Sequence, residues 1–351
     1  MKNLFYTIFI ATFFFTPLFS HALEPGKLII TGFQGTSPSD PKVIKLKEKI
    51  NQQKIGGIIL FKRNIQNKTQ LKALVQFLKK DTSIFVAIDH EGGIVNRLTD
   101  PTFKLRTPSP ERFCQLDDST QSKIASTISN QLDDIGINLN LGGVVDIAPL
   151  IKESSICRYK RCFGNNQAQI SKCTQALFNA HKDKRLYFAL KHFPGHGSTP
   201  IDSHYYLPDI SKNHNGYDYM PYHTLIKENP SPYIMVMVGH LMVNHIDSKY
   251  PASLSKKHID VLKSNLDFNG LIITDDLNMG ALKEVSTNKL VIAKKAIEAG
   301  NDLLLFEFLT FSEIDQLNEL LNNELKNSSV IKENIKHSSL KIQGNLSLND
   351  R

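Results

Sequence analysis

The chain has 351 residues, 41% of them hydrophobic and 22% charged, with a formal net charge of +8. This is an ordinary globular composition, and the length suffices to bury a stable core without cross-links. Basic residues are dispersed apart from "HKDKR" at 181–185, so a nucleic-acid partner is not implied.

Residues 1–22 carry Lys2, an apolar run from Leu4 to Phe19 broken by Pro17, and small residues at Ser20 and Ala22. This is the pattern of an export signal cleaved after Ala22, and the run is short for a spanning helix. The expectation is a periplasmic or secreted protein with no stable membrane span after processing. An uncleaved N-terminal anchor is the alternative.

From Lys27 onward, short β-rich runs alternate with amphipathic stretches. The runs are "KLIITGF", "GGIILF", "IFVAIDHEGG", "INLNLGGVVDIAP", "YFALKHFPG", "YIMVMVGHLMV", "GLIITDD" and "NDLLLF", eight in all. Between them lie helix-like segments such as "TQLKALVQFLKK" and "TNKLVIAKKAIEAG", the second stopping at Gly300. Near-continuous apolar strands alternating with helices predict a parallel sheet covered on both faces. Eight such units predict a single (β/α)8 TIM-type barrel of the α/β class. Residues 23–325 are assigned to this barrel, and residues 326–351 to a polar C-terminal helix ending in a loose tail.

Four cysteines, Cys114, Cys157, Cys162 and Cys173, contain no CxxC pair, which argues against a zinc knuckle. In an oxidising compartment Cys157 and Cys162 are placed to close the loop "CRYKRC". Four free thiols are the alternative.

Polar residues gather where the apolar runs end: Asp89, Asp146, Lys191 with His192, His240 and Asp275. In a barrel these ends open onto one rim, the face that carries active sites. The densest stretch is "KHFPGHGSTPIDSHYYLP", 191–208. The HxxxH spacing of His192 and His196 invites a metal reading. However, it needs a helix to bring both rings together, and "HFPGH" reads as a strand leaving into a loop. Neither phosphate-loop nor dinucleotide glycine spacing is present. The remaining reading is an acid/base pair. Asp202 and His204 lie two apart and share one side of an extended segment, so the carboxylate can fix the imidazole tautomer. An isolated DxH is more often a solvated turn; a nucleophile is needed beside it. In "GLIITDDLNMG", alternation puts Leu271, Ile273 and Asp275 on one strand face and Asp276 on the other. Asp276 is also a candidate helix N-cap.

Taken together, "KHFPGHG…DSH…LP", "DHEGG…NRL", "KRCFG" and "ITDDLNM" resemble glycoside hydrolase family 3, in its bacterial β-N-acetylglucosaminidase branch. The similarity runs from about Leu28 to Asn301. The resemblance implies that Asp275 is the nucleophile, with His204 as acid/base catalyst oriented by Asp202 on a mobile loop. It implies that Asp89, Arg97, Arg161, Lys191 and His192 hold the terminal sugar. The implied reaction is retaining, cofactor- and metal-independent hydrolysis of β-linked N-acetylglucosamine from peptidoglycan fragments or short chito-oligomers, by a monomer. A chain without tryptophan lacks the usual stacking platform for long polymers.

Three departures stand out: Ser198 where the family usually has aspartate, and His90 and Ile94 where glutamine and arginine are usual. The alternatives are phosphorolysis of the same glycosides, a non-catalytic sugar-binding barrel, and a zinc-dependent hydrolase.

Overall fold

The computed structural model describes residues 23–349 apart from positions 105 and 150. The proposed signal segment, 1–22, lies outside the described residues. Eight strands follow in chain order: β1 Ile29–Thr31, β2 Gly57–Leu60, β3 Phe85–Ile88, β4 Leu139–Val144, β5 Tyr187–Phe193, β6 Ile234–Val238, β7 Leu271–Thr274 and β8 Leu304–Phe306. Each lies within one of the eight apolar runs. All pair in parallel, in the order β7-β6-β5-β4-β3-β2-β1-β8. The ring closes between β7 and β8 through the bridge of Ile273 with Leu303. There the Leu303 N–H donates to the Ile272 carbonyl at 3.0 Å. The fold is therefore a (β/α)8 barrel, as the alternation of elements predicts.

Helices clothe the barrel: α1 Pro41–Asn51, α2 Lys68–Lys79, α3 Pro110–Cys114, α4 Asp118–Ile135, α5 Gln167–Asp183, α6 Met220–Glu228, α7 Lys256–Asp260, α8 Lys289–Ala299, α9 Phe311–Asn327 and α10 Ser329–Asn349. Their starts are written locally. Asp40, Asn67, Asp117, Asn166 and Asn288 each cap the first turn of their helix with a side-chain oxygen, satisfying N–H groups that have no partner within the helix. Thr310 and Glu313 form a reciprocal capping box at α9. On α2, Leu71, Leu74, Val75 and Leu78 are buried, the i, i+3, i+4, i+7 stripe that seats a helix on a sheet.

The expected C-terminal helix forms, and it packs against the barrel. Helix α10 continues to Asn349 and buries Ile331, Ile335 and Ile342. It lies across the N-terminal end of the barrel. Lys341 donates to the Asp302 carboxylate at 2.7 Å and to the Gly270 carbonyl at 2.6 Å. Ser338 donates to the same carboxylate at 2.8 Å, and Tyr187 donates from β5 to the Asn345 carbonyl at 2.6 Å. The apolar stripe is four isoleucine and leucine positions diluted by Lys, Asn, Ser and Gln, which is why the composition reads as polar.

Two disulfides are present, Cys157–Cys162 and Cys114–Cys173. The first is the short loop closure weighed above, and the four-thiol alternative falls. The second was not anticipated. It joins α3 to α5 across 59 residues, a proximity that only the fold creates.

Candidate active site

The rim at the C-terminal ends of the strands holds a cavity of about 350 Å³. Asp89, Arg97, Arg161, Lys191, His192, Asp202, His204 and Asp275 all line it. These are the eight catalytic and sugar-binding positions singled out in the sequence, drawn from β5 and from the segments that follow β3, β4, β5 and β7. A larger cavity of about 700 Å³ lies between the α6–β6 and α7–β7 loops, beside Asn345 at the opposite end. Its lining holds a single carboxylate, Asp267, and none of the eight positions.

One wall is a charge cluster around Glu91, a residue the sequence reading passed over. The Arg161 guanidinium grips it in two bonds of 2.8 Å, from Nε to Oε2 and from one terminal nitrogen to Oε1. Lys191 Nζ reaches Glu91 Oε1 at 2.8 Å and Asp89 Oδ1 at 2.9 Å. Arg97 stands 3.7 Å from the other Asp89 oxygen. Burial by itself would raise the Glu91 carboxyl; the two cations outweigh it and hold it well below the usual carboxylate range. Burial would likewise lower Lys191, and Asp89 with Glu91 reverses that, so the ammonium stays charged. The turn that brings this cluster together needs Gly92 and Gly93, at φ +99° and +58°. The signal for Glu91 was available: it lies two residues beyond Asp89 in "DHEGG".

A second wall is organised by Asp146 at the end of β4. Its Oδ2 lies 2.7 Å from His192 Nδ1, and its Oδ1 accepts the His192 and His196 backbone N–H groups at 3.1 and 2.7 Å. His196 Nε2 then meets the Ser203 hydroxyl at 2.9 Å. Burial, with His192 adding to it, lowers His196 to about 4. His192, His196 and His204 thus each have a separate partner. Among the described residues no group of three His, Cys, Asp or Glu side chains is arranged to hold a metal ion. Of the rim residues named above, Asp146 and His240 do not line the cavity. His240 contacts Ser253 Oγ at 2.7 Å and the Asp276 carbonyl at 2.9 Å.

Strand β7 delivers Asp275. Met237 lines the cavity and pairs in register with Ile273, so the face of β7 bearing Leu271, Ile273 and Asp275 points inward. The Asp275 carboxylate accepts the Asp276 N–H at 2.8 Å. Burial opposes its ionisation, yet His192, His240 and that N–H bring it down to about 2. It is therefore a buried anion at neutral pH. Asp276 does not cap a helix as expected. Its carboxylate accepts the N–H groups of Asn278 at 3.0 Å and Glu307 at 2.7 Å, tying the β7 loop to the end of β8. Burial raises it to about 6.

Asp202 and His204 form a pair at the mouth, Oδ1 to Nδ1 at 2.7 Å, with the His204 N–H on the same oxygen at 2.9 Å. Burial would raise the Asp202 carboxyl, and its two bonds from His204 lower it instead. With Nδ1 committed to the carboxylate, Nε2 is the nitrogen free to exchange a proton. The imidazole is 65% exposed, where an incoming molecule can reach it. Ile94 and Tyr159, both exposed, complete the mouth. The Ser198 hydroxyl is buried without a hydrogen-bond partner, so this loop is held by Asp146, His196 and Ser203 instead.

A family model described as "Glycosyl hydrolase family 3 N terminal domain" matches residues 36–343. A beta-hexosaminidase of Psychromonas ingrahamii is 33% identical over 270 residues, covering 74% of this chain and 77% of that protein. Beta-hexosaminidase A of Pseudoalteromonas piscicida is 30% identical over 286 residues, and the aligned part spans 47% of that longer protein. Among solved structures, a beta-N-acetylhexosaminidase from Beutenbergia cavernae superposes with a TM-score of 0.81 at 20% identity, over 93% of this chain and 98% of that one. The fold, the rim and the matched sequence agree, and the chain belongs to glycosyl hydrolase family 3.

Proposed function

We propose that the protein is a retaining exo-β-N-acetylglucosaminidase that removes terminal β-linked N-acetylglucosamine from peptidoglycan fragments, with short chito-oligomers as second substrates. One observation carries this reading. An ionised Asp275 and an Asp202–His204 pair face the same cavity, whose walls supply Asp89, Arg97, Arg161, Lys191 and His192. The relatives named beta-hexosaminidase support the choice of sugar.

In the first step an Asp275 oxygen bonds to the anomeric carbon as the bond from that carbon to the leaving oxygen breaks. Protonated His204 gives its Nε2 proton to that oxygen, and Asp202 stabilises the charged ring. In the second step water adds its oxygen to the same carbon, its proton passes to His204 Nε2, and Asp275 departs as a carboxylate. Two displacements retain configuration, and the imidazole–carboxylate pair does the work of the second carboxyl group found in most retaining glycosidases. The polar wall residues orient the sugar hydroxyls, which converts binding into alignment of the reacting atoms.

An exported location is part of the proposal. The two disulfides support it, since such bonds persist in oxidising compartments.

The test is incubation of the mature protein with p-nitrophenyl β-N-acetylglucosaminide beside the corresponding glucoside, with Asp275→Ala as control. Turnover of the first alone, lost by roughly 10⁴-fold or more in the variant, is the expected result. Binding of the sugar without turnover of either substrate by the native protein would leave a sugar-binding barrel instead.

A further inference from the structure

The segment that carries Asp202 and His204 is held from two sides. On the inner side the Ser203 hydroxyl meets buried His196, which is itself tied to Asp146. On the outer side it rests on residues 280–284, a short 3-10 turn that begins six residues after the end of β7. The Gly280 N–H donates to the His204 carbonyl at 2.9 Å, and the Ala281 N–H to the Ser203 carbonyl at 3.2 Å. Exposed Glu284 accepts the Leu207 N–H at 2.9 Å. The approach at Gly280 is close enough to require the absence of a side chain. A Cβ there would stand 2.6 Å from the His204 carbonyl oxygen and 2.7 Å from that of Tyr205.

We propose that residues 280–284 are the seat of the acid/base segment, and that Gly280 and Glu284 are positioning residues for His204. The inference rests on the reading of His204 as the proton donor. Its physical content is that the nucleophile and the proton donor are referenced to one loop. Asp275 and Gly280 are five residues apart, so the spacing between carboxylate and imidazole is set locally by the β7 loop and does not depend on the long excursion from β5. An ångström-scale error in that spacing is enough to cost about 10²-fold in rate. The two side-chain roles differ. Gly280 permits the approach, whereas Glu284 restrains the far end of the segment through one carboxylate oxygen.

The test compares kcat/KM, which reports the first displacement, on two N-acetylglucosaminides: one with a dinitrophenolate leaving group and one with a sugar leaving group. His204→Ala sets the reference, with loss on the sugar glycoside exceeding that on the aryl glycoside by about 10²-fold or more. Gly280→Ala is expected to reproduce that selectivity at about ten- to a hundredfold, and Glu284→Ala at roughly three- to tenfold. Glu284→Gln, whose amide oxygen still accepts the Leu207 N–H, is expected to restore native values. If Gly280→Ala lowers the melting temperature, the Glu284 pair carries the decision alone. Equal losses on both substrates, or none, in the Gly280 and Glu284 variants while His204→Ala stays selective would overturn the seat. An unselective His204→Ala would overturn the acid/base reading beneath it.

Discussion

Glu91 and Arg161, 70 residues apart in sequence, meet in a bidentate pair with both bonds at 2.8 Å, and the Glu91 side chain is fully buried. The same carboxylate also receives Lys191. Three chain segments that each supply a cavity-lining group are therefore joined at one buried carboxylate.

Glu91→Gln keeps the size and removes the charge. Arg161 then loses its carboxylate partner and Lys191 keeps only Asp89, and breaking a buried pair costs about 3–5 kcal/mol. The expected outcome is a lower melting temperature together with a raised KM, read by thermal denaturation and steady-state kinetics on one preparation. An unchanged KM would show that Glu91 only stabilises the fold.

The two disulfides are expected to separate by phenotype. Cys157–Cys162 brackets Arg161, but closes so short a loop that its entropic contribution is about 2 kcal/mol; Cys114–Cys173 closes a far longer one, about 4 kcal/mol. Replacing Cys157 and Cys162 by serine should raise KM with a modest fall in stability. Replacing Cys114 and Cys173 should lower stability more and leave KM alone. The reverse pattern would remove Arg161 from the list of groups that the short loop positions.

Stability should fall in acid. His90, His181 and His196 are fully buried, and burial lowers each to about 4. These values lie below the ordinary 6.5, so as pH falls the unfolded chain takes up protons before the folded one does. Their contribution is complete above about pH 6.5 and is lost progressively toward pH 4, at about 1.4 kcal/mol per pH unit for each group that titrates independently. Denaturant titrations at pH 7, 6 and 5 measure the slope. A flat profile would mean that these rings accept protons in the folded state.

Asp275 behaves oppositely. Held to about 2, it remains ionised at mildly acidic and neutral pH. The acidic limb of kcat/KM should therefore not follow its titration within the working range, whereas the alkaline limb, on which the donor proton of the first step is lost, should move when Asp202→Asn changes the partner of His204. A pH–rate profile unaffected by that substitution would separate the alkaline limb from the pair.

At the other end of the barrel, Lys341→Met leaves the fully buried Asp302 carboxylate without its cation. A loss of about 3 kcal/mol is expected, with kcat/KM of the remaining folded protein unchanged. Equilibrium unfolding followed by activity at low temperature tests both halves.

Much of the barrel was legible because its evidence is local. Eight apolar runs of strand length and the stop at Gly300 each occupy a few adjacent residues. The rim was legible for the same reason, since Asp89, Lys191, His192 and Asp275 stand where their strands end. What escaped depends on contacts between distant segments. Glu91 matters through Arg161, Cys114 through Cys173, and α10 through Asp302, and nothing near any of these residues announces its partner. Asp276 misled because an acidic residue ahead of a helical stretch usually caps it, whereas here the carboxylate serves two backbone groups on different loops.

The ends of the described chain also meet. Strand β1 pairs with β8, and α10 lies against the turn at Pro25–Leu28 that precedes β1. A nascent polypeptide lacking its last fifty residues would therefore hold a sheet with two bare edges, open to pairing with a neighbour. Such end-to-end wiring slows the search for the native state, and it makes newly synthesised, incomplete molecules the species most prone to aggregate.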